Sequence, residues 1–465
     1  MNLRMPRFGL LALLPVCAGV AALSPALAQG VTGTSSPQPA VPVAVSGRVS
    51  PLEEAQTLAW RGDYAGALRI LDTQGVDNVK ERALRARVLA WAHRHQAALT
   101  LNTPLYKQSP TDYSIAWTQA LALSQTYLPE KAIAPLQRVQ ALKPDAGDTH
   151  LLARVVRLPL FSSFGAGASL YSDSDNIAIH QRKAEANLRL SDRLTLAVNA
   201  AQQRISANLG SEFAPLTGGT TATELSATAG LDYAVTADTR VGFQAGSSRV
   251  DALGSSDIGN AYVQQYLNDQ LAWTLDFTRA RLAVSPRALA VLGNTTSLQA
   301  LWRPSIDNTL DATLGHTNLS DGNQQNRLQA IYRHRVYSSP VALIDVGAIA
   351  DIQQFSHVTN YGYYSPSFYR RVEPMVSGYF NLHPGVGLYM SAALGVQRDD
   401  TFRGWKRAAD LNAELTVGIY GHWQLVSWAA WSQRLNQLGQ YHAASVGIDL
   451  RYRFCTFDAN RCALP

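Results

Sequence analysis

The reactive side chains of this 465-residue chain do not fall into the spacings that enzymes use. No G-x-S-x-G surrounds a serine nucleophile, and no H-E-x-x-H, Cys/His ligand spacing or glycine-rich phosphate loop is present. Nothing marks out a pair of carboxylates for glycoside hydrolysis. The chemistry on offer is binding chemistry. Gly362 to Tyr369 reads G-Y-Y-S-P-S-F-Y, which places Tyr363, Tyr364 and Tyr369 in one stretch. Tyr389 and Tyr420 fall on the polar faces of alternating segments. Arg333, Asp345, Glu414, Asp449 and Arg451 do so too, with Arg327, Arg335, Asp351 and Arg453 beside them. Aromatic faces and polar edges are what sugars bind to, through C–H contacts to rings and hydrogen bonds. A mixed lining of acids and arginines suits a neutral polymer better than a strongly charged one. Each charged residue equally suits an interior salt bridge that stiffens a wall. No cofactor or metal is called for.

The elements that would hold these residues alternate with period two from about 160 to 454. Ala444, Val446, Ile448, Leu450, Tyr452 and Phe454 form one face of the last segment, against Ser445, Gly447, Asp449, Arg451 and Arg453. Ala342 to Ile352 and Leu411 to Ile419 repeat the pattern, the latter with Glu414 and Tyr420 on its polar side. About fifteen such segments of about ten residues can be placed, the strand length that crosses a bilayer. The segment Arg281 to Leu289 is the candidate for a sixteenth. In lipid every backbone group must be paired, which requires a closed barrel with one apolar face and one polar lumen. Trp302, Trp423 and Trp431 are placed near strand ends, as an aromatic girdle requires.

Before the change near Pro159 the apolar period is 3.6. Ala98 and Ala132 are 34 residues apart, as are Pro110 and Pro144, and Gly62-Asp63-Tyr64 with Ala67-Leu68 gives an earlier, shorter copy. This period resembles the tetratricopeptide repeat, whose small residue lets two helices approach and whose proline ends the second. Residues 51–157 are therefore read as about three helical repeats, and 158–454 as the barrel. Trp60, Trp91 and Trp117 are expected in the helical core. Arg82, Arg85, Arg87, His93, Arg94 and His95 form either a solvated face or a contact for an acidic partner.

Residues 1–28 read as a secretory signal: Arg4 and Arg7, an apolar run Phe8 to Leu23, then Ala26-Leu27-Ala28. Residues 29–50 read as a flexible linker. Only 16% of residues are charged and mean hydropathy is near zero, which fits alternation and excludes disorder and helical membrane spans. The net charge of +6 comes from 34 Arg and 6 Lys against 34 acids with no long basic run, so nucleic acid is not an expected partner. Three cysteines exclude a disulfide-dense scaffold, and Cys455 and Cys462 in the tail 455–465 are a candidate disulfide.

Two resemblances add to this reading. Ser445-x-Gly447-x-x-Leu450-x-Tyr452-x-Phe454 resembles the C-terminal assembly signal of outer-membrane barrels. The stretch Gly362-Tyr363-Tyr364-Ser365-Pro366-Ser367-Phe368-Tyr369, with Pro374 beyond it, resembles the outer-membrane component of bacterial cellulose synthase. Arg279 to Leu289 is similar to that family's short basic, Ser/Pro-containing segment. The family joins periplasmic tetratricopeptide repeats to one export barrel, with many more repeats than this chain has. The resemblance implies a channel in the outer membrane for an exopolysaccharide, cellulose first. Lipid, the polymer and periplasmic or inner-membrane synthase components are its implied partners. The alternative is a non-conducting receptor or assembly scaffold with the same architecture.

Overall fold

A computed structural model describes residues 50–74, 78–251, 253–436, 438–456 and 462. The expected signal 1–28, the linker before Ser50 and most of the tail lie outside the described residues. Seven α-helices come first: α1 Pro51–Trp60, α2 Tyr64–Gln74, α3 Val79–Trp91, α4 His95–Gln108, α5 Tyr113–Ser124, α6 Ile133–Leu142 and α7 Gly147–Arg157. They start where side chains cap free N–H groups. Ser50 and Glu53 form a capping box on α1, Asn78 caps α3 and Asp112 caps α5. The first six stack as three antiparallel pairs, closed by α7. Ala67, Ala98 and Ala132 are fully buried between them, with Trp91 and Trp117 edge to face at 6.2 Å. Trp60 is a correction: it is 52% exposed, because α1 begins the stack among the described residues and none of them covers that face.

Sixteen antiparallel strands follow. They are β1 Ser162–Asp173, β2 Ala178–Arg189, β3 Leu194–Ser206, β4 Thr221–Ala234, β5 Thr239–Val250, β6 Gly254–Tyr266, β7 Leu271–Arg281 and β8 Leu292–Trp302. The second half is β9 Asn308–Leu319, β10 Gln324–Ser338, β11 Ala342–Phe355, β12 Tyr369–His383, β13 Val386–Asp399, β14 Lys406–Val417, β15 Trp423–Asn436 and β16 Gly439–Phe454. Each pairs with its chain neighbours, and β1 pairs with β16, so the sheet closes without an edge. Alternation sets the facing. Leu170, Phe243, Leu314, Val346, Leu411 and Ile448 stand outward and exposed, while their odd or even partners turn inward. Trp302 and Trp423 are outward at strand ends next to the helices. Trp431 lies well inside β15 rather than at its end.

The residues 281–289 correct the expected sixteenth strand. β7 ends at Arg281, and the stretch beyond it is a connection containing a 3-10 turn, Ala288–Ala290. Pro286 has no N–H to give a ladder, and the segment finds its burial elsewhere. Connections at the rim beside the helices are two to five residues long. At the far rim three are much longer: 207–220, 282–291 and 356–368.

Candidate functional site

The lumen lining follows from strand parity. On β10 and β11 the inward residues include Arg327, Arg333, Arg335, Asp345 and Asp351, and on β13, β14 and β16 they include Tyr389, Glu414, Asp449, Arg451 and Arg453. Most of the charges are paired. Arg335 meets Asp345 at 2.8 Å, Lys183 meets Asp449 at 2.7 Å and Arg451 meets Glu185 at 2.6 Å. Toward the far rim a buried ladder joins Arg327, Asp351, Arg371, Glu373, Asp410 and Arg434. Three guanidinium groups face three carboxylates, so the ladder is neutral and stiffens β10 to β15. The middle of the opposite wall carries amides and hydroxyls: Asn199 donates to Gln244 at 3.0 Å, and Gln299 to Asp311 at 3.0 Å.

Tyr420 sits elsewhere. Gly418, at φ +76°, ends β14 before it, and Ile419 and Tyr420 are buried in the helical core instead of lining the lumen wall. The alternation of Leu411 to Val417 does not extend through that turn. Tyr363, Tyr364 and Tyr369 are also buried. Tyr363 donates to Asp321 at 2.6 Å, Tyr364 to Asp399, and Tyr369 to Gln397 at 2.9 Å. In the 356–368 connection they point into protein, and Tyr369 begins β12.

Tyr364 and Tyr369 pack together with Leu435, while Tyr363 packs against the 282–291 connection. Tyr363 contacts a cluster of Leu282, Val284, Ala288 and Val291. Ala283 and Leu289 pack on the inward Ile179, Ile205, Ala222 and Val250 of β2 to β5. The connection therefore folds into the barrel mouth, and every residue from Arg281 to Leu289 is buried except the half-buried Arg287. Arg287 holds both other long connections. It donates to the carbonyls of Ala214 at 3.0 Å, Ser211 at 3.2 Å and Asn360 at 3.2 Å. Ser285 donates to the Gly362 carbonyl at 2.6 Å. Three loops from three sides of the far rim thus interlock over the lumen.

The helices cover the other rim. Asp269, in the turn between β6 and β7, accepts from the backbone N–H groups of Gln96 and Ala97 at 2.9 and 2.7 Å. A barrel carboxylate thereby caps α4, whose own preceding residue offers no capping oxygen. Arg94 donates to the carbonyls of Asp269, Arg303 and Ser305. His95 lies between Asp238 and Asp269, 3.5 Å from each. Tyr127 donates its N–H to Ala237, and Ser338 donates to the Gly62 carbonyl. Of the basic cluster, His95 thus meets carboxylates of the barrel and Arg94 its backbone carbonyls. Arg85 pairs with Asp72 and Arg87 lies over Trp91. Cys455 and Cys462 are disulfide-bonded, and both join the helical core.

Trp428 carries no mark in the sequence that points to the lumen. It faces inward from β15 with its ring against Gly447 of β16, where a Cβ would lie 2.4 Å from the indole. It shares a recess with Ser169, Gln181, Lys183 and Asp449.

No known family profile and no curated protein matches the chain. Among solved structures the chain is similar to one described as a bacterial polysaccharide outer membrane secretin. The TM-score is 0.53 at 14% identity, over 63% of this chain and 99% of that one. CdiB from Acinetobacter baumannii matches with a TM-score of 0.40 at 10% identity, over 63% and 60% of the two chains. OccK5 (OpdH) from Pseudomonas aeruginosa matches with a TM-score of 0.35 at 11% identity, over 63% and 98%. The first of these likenesses agrees with the fold of the residues beyond the helices, a closed sixteen-stranded antiparallel barrel.

Proposed function

We propose that the protein is an outer-membrane channel that exports an exopolysaccharide, with cellulose as the polymer that the sequence resemblance favours. The observation that carries this is a polar and aromatic lumen lying between two non-covalent closures, one made by the helices and one by the far-rim loops. A barrel built only as a scaffold has no need of a hydrated lining. The solved structure with the same barrel is described as a polysaccharide secretin, which agrees with the reading. Short turns of such barrels face the periplasm and long loops the outside. On that orientation the helices would stand in the periplasm, where they would dock synthase components or the emerging chain. Trp60 and Val79, both exposed, offer a surface there.

The second reading, a non-conducting receptor, is favoured by one observation: the apolar packing of 282–291 inside the far mouth. Two measurements separate the readings. Under the export reading, deleting the gene lowers secreted polysaccharide while polymer accumulates in the periplasm. Purified protein also forms channels in planar bilayers once the far closure is released. Unchanged secretion, together with no channels from any loop variant, would replace export with the receptor reading.

A further inference from the structure

Strand register places one line of inward residues in sequence around the barrel. Tyr379 is paired with Tyr389, Tyr389 with Glu414, Glu414 with Trp428, and Trp428 with Gly447. The line continues through Ser169, Gln181 and Gln203. Because barrel strands tilt and their register is staggered, such a line climbs. Tyr379 stands four residues from the helix-side end of β12, Gly447 seven from that end of β16, and Gln203 nine from that end of β3. The line is thus a ramp from the helix-side mouth toward the far mouth.

Its neighbours are short. Above it run Ser377, Ser391, Asn412, Ala430 and Ser445, and below it Asn381, Gly387, Thr416, Val426 and Asp449. The aromatic rings are therefore the tallest groups on this part of the wall. Tyr379 leans over Gly387 and Trp428 over Gly447, and at both glycines a Cβ would collide with the ring. Both rings lie against the wall over a glycine, and Trp428 lines a recess with Ser169, Gln181, Lys183 and Asp449. Adjacent strands are about 4.8 Å apart, so Tyr379 and Tyr389 are spaced by roughly one strand and Tyr389 and Trp428 by two. These steps are comparable with one and two pyranose rings. Beyond Trp428 the line changes to a hydroxyl and two amides, which both donate and accept.

We infer that this ramp is a glycan track. Resting on the export reading, the inference assigns to these residues the contact with a neutral chain of β-linked pyranoses. Sugars with all substituents equatorial expose flat C–H faces that stack on aromatic rings. Their hydroxyl edges match Glu414, Ser169, Gln181 and Gln203. A polyanion would meet Glu414 with no compensating gain from the rings. The polymer slides along one wall, handed from the aromatic stretch to the amide stretch as it climbs.

The test uses the full chain with residues 283–290 replaced by a Gly-Ser segment, so that the lumen is open, and cellohexaose as the probe. Calorimetric titration in detergent should show binding that weakens roughly tenfold in Trp428→Ala and in Tyr389→Ala. Trp428→Phe should retain most of the affinity, and Thr313→Ala on the opposite wall should leave it unchanged. Heat-modifiable gel mobility checks that each barrel is folded. If the rings only stiffen the wall, the alanine variants will melt earlier yet bind sugar as before, and the track is overturned. Absence of cellohexaose binding to the opened chain overturns it too. Ion current through the same protein without sugar binding would defeat the track and leave the channel standing. Absence of current, together with unchanged secretion when the gene is deleted, would defeat the export reading itself.

Discussion

Arg287→Ala should open the far mouth. The guanidinium ties 282–291 to the two other long loops through the carbonyls of Ala214, Ser211 and Asn360, at 3.0, 3.2 and 3.2 Å. Hydrogen bonds from a charged donor contribute about 1.5–3 kcal/mol each when they are well buried. Arg287 is half-buried, and water can replace it at the freed carbonyls, so about 0.5–1 kcal/mol per bond is the appropriate scale. Three bonds then amount to about 2 kcal/mol of closure. At about 1.4 kcal/mol per tenfold, the open population should rise about 30-fold wherever it starts small. Single-channel recording in planar bilayers reads this as open probability, with the Gly-Ser replacement of 283–290 as the fully open reference. The apolar contacts of Leu289 and Val284 remain in Arg287→Ala, so the variant should flicker rather than stay open. The reasoning is refuted if wild type already conducts like the replacement. It is refuted equally if the replacement opens while Arg287→Ala keeps the wild-type open probability.

Two further outcomes are expected. Ile448→Arg puts a guanidinium on the outward face of β16, at a cost of about 2–4 kcal/mol near the bilayer midplane, and should sharply reduce heat-modifiable barrel in the outer membrane. Asp269→Ala removes the cap on α4 and the carboxylate beside His95. The helices should become cleavable by added protease while the barrel stays resistant, and Asp269→Asn should fall between the two.

Alternation in the sequence is readable where two solvents enforce it. On β11 and β16 the outward face is apolar and the inward face polar, so Val346 and Ile448 against Asp345 and Asp449 declare their sides by residue type alone. On β15 the enforcement lapses. Val426, Trp428 and Ala430 point inward while Leu425, Ala429 and Trp431 point outward, so both faces are apolar and Trp428 carries no local mark of its side. Its position becomes legible only with Gly447, a residue on another strand that leaves room for the ring. The same limit explains 282–291. Seven of its ten residues are apolar, and period counting cannot separate an apolar strand from a loop buried in a mouth; Pro286 is the one local signal against a strand. Tyr363 does lie in a connection, as its neighbours in the chain suggest, but its partners Val284 and Ala288 lie more than seventy residues earlier. The scaffold is thus set by solvent, residue by residue, and shows in the sequence. The lining and the closures are set by packing across the barrel, between segments far apart in the chain. On the export reading proposed above, passage would be decided by those cross-barrel contacts, which one strand's pattern cannot reveal.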